Sequence, residues 1–235
     1  MVSILFEDDY CVLVNKPNNV LVHHAHHSRN VRTEASLLDL LKESLGMKLY
    51  PVHRLDRKTS GVVLLCKETT YVSKFQELFA SNAISKVYYG LVRGFAPDEK
   101  LIDSPVKGRD AKVHKEAQTE LKTLATTTLS IPVKPYDSSR YSLVELHPKT
   151  GRMHQLRIHM QKISHPLVCD PKYGDNNHNA MFEKEFGITS LFLHAGQLAF
   201  EHPFTNERIH VKAAFPNHWE FIFKKFGWNN PLTAQ

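Results

Sequence analysis

Cysteine is scarce in this sequence, and its three thiols stand far apart. Cys11, Cys66 and Cys169 show no Cys-x-x-Cys spacing, which argues against a disulfide framework and against the common zinc and redox motifs. Two of the three stand in apolar runs. We therefore expect buried free thiols in a protein that works in a reducing compartment.

The sequence also lacks a long hydrophobic run. No apolar stretch approaches the roughly 18 residues that suggest a membrane-spanning helix, and the first residues lack the basic segment that opens a secretory signal. Internal repeats and low-complexity segments are absent as well. These absences predict a cytoplasmic protein without a membrane partner.

Positive charge is what the chain has in excess. It carries 30 Lys and Arg against 24 Asp and Glu in 235 residues, with a formal net charge of +6 and a pI of about 9.1. This balance suits a polyanionic partner such as nucleic acid, although many basic proteins bind none. The length predicts one compact domain or two small lobes.

Apolar spacing predicts a mixture of helices and strands. Apolar residues recur at helical intervals over 35–45, 71–79 and 216–226. Short apolar or alternating runs predict strands at 4–6, 11–14, 20–22, 118–124 and 140–146. Segments 23–33, 107–117 and 172–184 have no clear period, so we expect loops there.

The segment from 53 to 67 holds one acid among positive charges. The carboxylate of Asp56 is surrounded in sequence by cationic or potentially cationic side chains, namely His53, Arg54, Arg57 and Lys58. Positive surroundings favour an ionised carboxylate, which can act as a nucleophile or a base. A structural ion pair with Arg54 or Arg57 explains the same pattern, because ion-pair networks also cluster charges.

A second basic segment runs from 147 to 162, with four Lys or Arg, three His and no acid. Thr150 is a candidate N-cap for a helix whose apolar side would be Met153, Leu156, Met160 and Ile163. A helix N-terminus beside basic side chains suits a phosphate, and Arg152 is best placed to contact one. The alternative is a solvated basic helix face.

Taken together, these segments resemble the RluA branch of pseudouridine synthases. The resemblance rests on His53-Arg54-Leu55-Asp56-Arg57 with Thr59-Ser60-Gly61, on Lys86-Val87-Tyr88, on His154-Gln155-Leu156-Arg157, and on His165-Pro166 followed by Asp170. It covers residues 4 to about 228. At position 169 a cysteine replaces the family's glycine, a departure that we expect to affect backbone geometry rather than chemistry.

The resemblance implies a fold and an activity. The fold is α+β, a large and mainly antiparallel bent sheet flanked by helices, with an RNA-binding cleft across it. Residues 1–235 would form a single catalytic domain without the S4-type RNA-binding domain that some members carry. The activity is the isomerisation of a uridine to pseudouridine in RNA, which requires no cofactor and no metal.

The resemblance also implies roles for individual residues. Asp56, Tyr88 and Arg157 would be catalytic, with the Arg157 guanidinium paired to the Asp56 carboxylate. Tyr89 competes with Tyr88, because neighbouring strand residues point to opposite faces. RNA contacts would come from Arg54, Arg57, Lys149, Arg152, His154 and Lys162, and Leu193 would form a wall of the base pocket.

Local similarities indicate which RNA is the substrate. Segment 140–152, Glu185-Phe186-Gly187 and the Phe226-Gly227-Trp228 end resemble members that act on uridine 65 of tRNA. Large-subunit ribosomal RNA is the alternative substrate within the branch. Two other classes remain open: a non-catalytic RNA-binding protein, and a metal-dependent hydrolase. We expect a monomer.

A histidine tract is the feature that would support a metal-dependent hydrolase. His23, His24, His26 and His27 offer four imidazoles that suit zinc or nickel, but no cysteine or carboxylate cluster lies nearby in sequence. We therefore predict no metal site here and interpret the tract as a polar loop near the RNA cleft.

Overall fold

The computed structural model describes residues 2–24, 34–107 and 113–233. It contains ten strands and five helices in these ranges, in the order β1 (Ser3–Glu7), β2 (Cys11–Lys16), α1 (Leu37–Leu45), β3 (Tyr50–Pro51), β4 (Ser60–Cys66), α2 (Thr69–Ala80), β5 (Ser85–Arg93), β6 (Glu99–Asp103), β7 (Gln118–Leu129), β8 (Ser139–Pro148), α3 (Gln155–Lys162), α4 (Asn176–Phe186), β9 (Leu193–Glu201), β10 (Arg208–Lys212) and α5 (Asn217–Phe226). The α+β class is confirmed. The described helices include none that is long and apolar enough to cross a bilayer.

Two compact units divide the chain. The first comprises residues 1–86 and 195–216, and the second comprises residues 87–194 and 217–235. In the first unit the strand order is β1-β2-β4-β9-β10, and β3 pairs with β4. The pairs β1–β2, β2–β4, β3–β4 and β9–β10 are antiparallel.

The core of the first unit is built on β4, in which all seven residues are buried. Val62 and Leu64 pack there with Phe75 from α2 and with Leu198 and Phe200 from β9. A continuous apolar run is the pattern of a strand buried on both faces, so the sequence predicts this element well. Strand β4 therefore gives the preceding loop, 53–59, a rigid support.

Helix α1 begins and ends where its sequence indicates. Ser36 and Asp39 form a reciprocal capping box, and Gly46 closes the helix at φ 69°. The predicted strand at 20–22 is wrong: the carbonyls of Leu21 and Val22 accept the N–H groups of Leu37 and Leu38 at the helix start. Capping the helix therefore uses backbone groups that a strand would have paired.

In the second unit the strand order is β5-β8-β7-β6, and its pairs are antiparallel. Leu146, Leu156, Met160 and Leu193 belong to the core beneath this sheet. Strand β7 runs on to Leu129, past the predicted end at 124, because the added Thr-rich residues pair with the beginning of β8.

Helix α4 corrects the predicted loop at 172–184. Asp175 caps its N-terminus by accepting the N–H groups of Asn177 and His178, and Gly187 ends it at φ 67°. Phe182 from this helix packs edge-on against Tyr141 of β8, with ring centres 5.2 Å apart. The amphipathic stripe is weak because asparagine and histidine dominate its first turns, so capping and packing decide the structure.

Candidate active-site segments

The loop that carries Asp56 is anchored at both ends. Leu55 and Thr59 are buried, Asp56 is half-buried and Arg54 is exposed. The Thr59 N–H donates to the Asp56 carbonyl at 3.1 Å, which closes a tight turn. Buried neighbours on either side hold the Asp56 carboxylate at a fixed point on the surface of the first unit.

His53 does not contribute a positive charge to this loop. Its Nε2 accepts the Leu64 backbone N–H at 3.0 Å, so the ring must be neutral. Burial, assisted by the charge of Lys86, lowers the pKa of His53 to about 4. The sequence pattern treats His53 as potentially cationic, and that part of the interpretation is wrong at neutral pH.

Lys16 is the cation that the sequence analysis missed. It is fully buried, and its Nζ donates to the carbonyls of Pro17 and Val20 at 2.8 Å and of Arg57 at 3.1 Å. The side chain thereby ties the turn after β2 to the residue that follows Asp56. The sequence signal is the Lys-Pro pair at 16–17, which by itself predicts only a turn.

The charge state of Lys16 depends on two opposing effects. Burial lowers the pKa of Lys16 to about 7, while the negative charge of Asp56 raises it. The three carbonyl acceptors also favour the ammonium form. The Asp56 carboxylate thus faces a buried cation from its own unit.

Arg57 and Asn18 strengthen the same connection. Arg57 Nε donates to the Asn19 carbonyl at 3.0 Å, and its guanidinium also pairs with Glu34. Asn18 Nδ2 donates to the Lys58 carbonyl at 2.7 Å. Arg57, predicted to contact RNA, therefore also makes internal contacts that hold the loop to the 17–19 turn.

The loop enters β4 at Gly61, a position that only glycine can occupy. Its φ is 113°, and a Cβ built there would lie 2.1 Å from the carbonyl oxygen of Ala195. Any side chain would both clash with β9 and strain the backbone. The glycine of the Thr-Ser-Gly motif is required for this close approach.

The two tyrosines of β5 have different environments. Tyr89 is buried, and its hydroxyl bonds to Glu145 and helps to lower the pKa of that carboxyl, after the larger effect of His147. Tyr88 is only half-buried and packs at the margin of the core of the second unit. The alternation favours Tyr88 as the tyrosine that meets a substrate, and its role stays a prediction.

Arg157 is held by a partner that the sequence analysis did not assign. Its Nε and Nη2 donate to the Asp170 carboxylate at 2.6 and 2.7 Å, and both residues are buried. Burial alone would raise the pKa of Asp170, but the hydrogen bonds and charge of Arg157 outweigh it and hold that pKa below its usual value. The sequence signal for Asp170 was its place in the family motif that begins at His165-Pro166.

The turn around Asp170 is itself fixed on several sides. The carboxylate also accepts the N–H groups of Lys172 and Tyr173, and Asn179 bridges the Cys169 N–H and the Asp170 carbonyl. Cys169 adopts φ 59°, a conformation that favours glycine. The cysteine at this position therefore keeps the backbone geometry at the cost of local strain.

The ring of Tyr173 completes the support of Arg157. The Arg157 guanidinium carbon lies 5.1 Å from the ring centre, and the Tyr173 hydroxyl bonds to His154 Nδ1 at 3.0 Å. His154 precedes α3 with φ 57° and no side-chain cap. His154, predicted to contact RNA, thus also fixes the aromatic face against Arg157.

Helix α3 starts later than predicted. It begins at Gln155, not after Thr150, and Met153 is exposed outside it. The Thr150 hydroxyl donates instead to Gln155 Oε1 at 2.6 Å, while Gln155 Nε2 donates to the Gln118 carbonyl. The buried amide of Gln155 organises this turn, so Thr150 as N-cap is wrong.

The basic side chains of 149–162 each have a contact within the second unit. Lys149 pairs with Glu120 at 2.7 Å, and Arg152 Nε donates to the Glu116 carbonyl at 3.1 Å. Lys162 Nζ donates to Ser104 Oγ and to the Pro105 carbonyl. All three are exposed, so they remain accessible to a phosphate.

With this geometry in view, comparison with known proteins identifies the family. Residues 9–162 match the family model described as RNA pseudouridylate synthase. The chain belongs to the RNA pseudouridylate synthase family. It is therefore an isomerase that acts on RNA, and the predicted family is confirmed.

Named relatives agree over almost the full length. A protein of Vibrio parahaemolyticus named tRNA pseudouridine synthase C is 36% identical over 241 residues, which cover 98% of this chain and 97% of the relative. A Haemophilus influenzae protein of the same name is 35% identical, with 98% of this chain and 100% of the relative covered. The local similarities at 140–152 indicate the same relatives.

Solved structures support the fold. Human RNA Pseudouridylate Synthase Domain Containing 4 superposes with a TM-score of 0.75 at 26% identity, covering 97% of this chain and 94% of that chain. Human RNA Pseudouridylate Synthase Domain Containing 1 superposes with a TM-score of 0.71 at 24% identity, covering 92% of this chain and 84% of that chain. The predicted pseudouridine synthase fold is confirmed.

Leu193, predicted to form a wall of the base pocket, is buried. It packs in the core of the second unit with Leu146 and Met160. This position fits an apolar support for neighbouring residues. A direct contact with a base stays a prediction.

The histidine tract is only partly within the described residues. His24 Nε2 lies 3.1 Å from Asp39 Oδ2, beside the capping box of α1. His26 and His27 fall in 25–33, outside the described ranges. The contact of His24 with the helix cap gives that imidazole a structural role.

In the described part of the chain one group of side chains has the composition of a metal site: Asp8, Cys11 and His202. His202 Nδ1 accepts the N–H groups of Phe204 and Thr205, so the ring proton lies on Nε2, 3.1 Å from Asp8. Burial raises the pKa of the Cys11 thiol far above its usual range. These donors suit a hydrogen-bonded network better than a cation.

Proposed function

We propose that this enzyme converts uridine 65 of tRNA into pseudouridine, with Asp56 as its catalytic carboxylate. The observation that carries the proposal is the construction of the Asp56 loop. Lys16, Arg57 and Asn18 fix its backbone, and Asp56 itself is only half-buried. The relatives named tRNA pseudouridine synthase C support tRNA as the substrate.

The chemistry is an isomerisation. The N1–C1′ bond of the uridine breaks, the base rotates, and a C5–C1′ bond forms. The proton lost from C5 goes to solvent, and N1 gains one, so atoms and electrons balance without a cofactor or metal. Asp56 would trap C1′ or assist elimination at the sugar, and both possibilities remain open.

The remaining roles follow from the family resemblance. We assign Arg157 to hold the catalytic carboxylate ionised, and Tyr88 to stack on the base or move a proton. Arg54 is exposed and would fill the space left by the flipped uridine, since flipping costs a few kcal/mol. We also propose that residues 1–235 act as a single catalytic domain, monomeric and cytoplasmic.

Replacement of Asp56 tests the chemistry. Asp56→Asn should abolish tritium release from tRNA labelled at uridine C5, because a neutral amide is a far weaker nucleophile and base. RNA binding and the unfolding midpoint should change little. Asp98→Asn, at an exposed acid, is the matched control and should remain active. Release at the wild-type rate from Asp56→Asn would refute the assignment.

The site in RNA needs a separate experiment. Pseudouridine should be mapped in all RNA from cells with and without this gene. We expect the loss of pseudouridine at position 65 of some tRNAs. Loss confined to large-subunit ribosomal RNA would overturn the tRNA assignment but leave the synthase activity intact.

A further inference from the structure

A pocket lies in the second unit, at the C-terminal end of β5. Its volume is about 380 Å³, and its walls include Arg93, Phe95, Tyr136, Ser139, Arg140 and His165. This volume is near the lower end of the range for small-ligand sites. It suits a group of the size of one nucleobase.

Two exposed aromatic rings give the pocket a stacking surface. Phe95 is 46% exposed and Tyr136 is 55% exposed. The backbone of Tyr136 is fixed by two hydrogen bonds with Val133, both 3.0 Å long. The Arg140 guanidinium carbon lies 5.3 Å from the centre of the Phe95 ring. Exposed rings beside a guanidinium are the surface on which unpaired bases stack.

The polar groups of the pocket suit the edge of a base and a phosphate. Arg93 Nη1 pairs with Asp175 at 3.1 Å, which orients a guanidinium that has five N–H donors. The Tyr141 hydroxyl bonds to His178 at 2.7 Å and also interacts with the Ser139 hydroxyl. These contacts fix Ser139 and His178, which both line the pocket.

His165 adds a defined acceptor. Its Nδ1 lies 2.9 Å from the Arg93 carbonyl and must donate to it. When the ring is neutral, its Nε2 is therefore an acceptor. The Gly94 N–H donates to the Arg140 carbonyl at 2.7 Å, which fixes the backbone between these side chains. The donors and acceptors of the pocket are thus set by the fold.

This pocket is separate from the predicted catalytic residue of the same strand. Tyr88 and Arg93 are five positions apart on β5, which corresponds to about 16 Å along an extended strand. One flipped uridine cannot occupy both places. The pocket requires a different ligand group.

We propose that this pocket binds a second, unpaired nucleobase of the RNA substrate, stacked on Phe95 and Tyr136, with its phosphate held by Arg93. The proposal rests on RNA as the substrate and goes beyond the choice of catalytic residue. The Arg140 guanidinium beside Phe95, and the N–H groups of Arg93 that do not face Asp175, complement the RNA backbone. A purely apolar occupant would leave these donors without a partner. Such a contact would select RNA by shape at a distance from the reacting uridine.

Replacement of the rings tests the proposal. Phe95→Leu and Tyr136→Leu keep apolar bulk but remove the stacking surface. Each should weaken the binding of unfractionated bacterial tRNA at fixed salt by roughly tenfold, within the range that loss of one stacked base produces. The KM for tRNA in the tritium-release assay should rise in parallel. Phe221→Leu, at a ring that is 49% exposed on α5, is the matched control.

Cross-linking locates the contact independently. tRNA that contains 4-thiouridine should form adducts at Phe95 or Tyr136 on irradiation, and these adducts should disappear in the leucine variants. Wild-type tRNA affinity in both variants, with unchanged unfolding midpoints, would overturn the proposal. If Asp56→Asn stayed active, the proposed catalytic role would fail, whereas the binding loss measured here would still support this pocket.

Discussion

Asp170→Asn tests whether the buried pair with Arg157 organises the second unit. The replacement keeps the shape of the side chain but removes its negative charge and weakens two charge-assisted hydrogen bonds. Breaking a buried pair by changing one partner typically costs 3–5 kcal/mol. Because the amide still accepts one hydrogen bond, we expect a loss of about 3 kcal/mol in the free energy of unfolding.

The expected loss is large enough to measure directly. For a chain of this size, 1 kcal/mol shifts the melting temperature by roughly 2–4 °C, so Asp170→Asn should lower it by about 6–12 °C. Urea unfolding followed by circular dichroism gives the free energy. Glu120→Gln is the control, because Glu120 pairs with Lys149 in an exposed position and should cost less than about 1 kcal/mol.

A double-mutant cycle separates the pair from its surroundings. Arg157→Gln, Asp170→Asn and the double variant should show a coupling free energy of about 2 kcal/mol or more, since the two side chains touch. Turnover should fall in Asp170→Asn even under conditions in which the variant is folded, because the Arg157 guanidinium loses its orientation. Additive effects on stability together with wild-type turnover would refute the reasoning.

Three further predictions follow from other features. Lys162→Gln and Arg152→Gln should weaken all tRNA binding and reduce the slope of log affinity against log salt by about 0.7–0.9 each; an unchanged slope would show that these side chains do not contact phosphate. EDTA should leave tritium release unchanged, and a complete loss that zinc restores would instead establish a metal requirement. Burial lowers the pKa of both His53 and His218 from 6.5 to about 4. The stability that each neutral ring provides is therefore fully present above pH 6.5 and is lost as the pH falls towards 4. The loss in the free energy of unfolding is up to about 3 kcal/mol for each histidine. Urea unfolding at pH 7 and pH 5 measures this, and His218→Gln should reduce the pH dependence.

Elements with strong local signals were predictable from the sequence. The run of Val62 to Leu65 predicts a buried strand, and Ser36 with Gly46 marks the ends of α1. Such signals are local, because each depends on residues within a few positions of one another. The family motifs are likewise local, which is why the family was identifiable from the chain alone.

The contacts of the candidate site segments were not predictable in the same way. Lys16 reaches Arg57 across 41 positions of sequence, and no period or motif reveals which carbonyls a lysine will bind. Asp170 lies 13 positions from Arg157, beyond the range of helical spacing. Thr150 has the residue type of an N-cap, but the amide of Gln155 occupies its hydroxyl, and tertiary bonding overrides local preference.

The burial of Lys16 has a practical consequence for experiments on the free protein. An amine-reactive reagent can modify this Nζ only when the turn at 17–20 separates from the carbonyl of Arg57, whereas exposed Lys184 is open to the reagent at all times. The ratio of the two labelling rates therefore reports how often the Asp56 loop opens. Mass spectrometry of the two peptides that carry Lys16 and Lys184 would measure the opening of this loop with and without RNA.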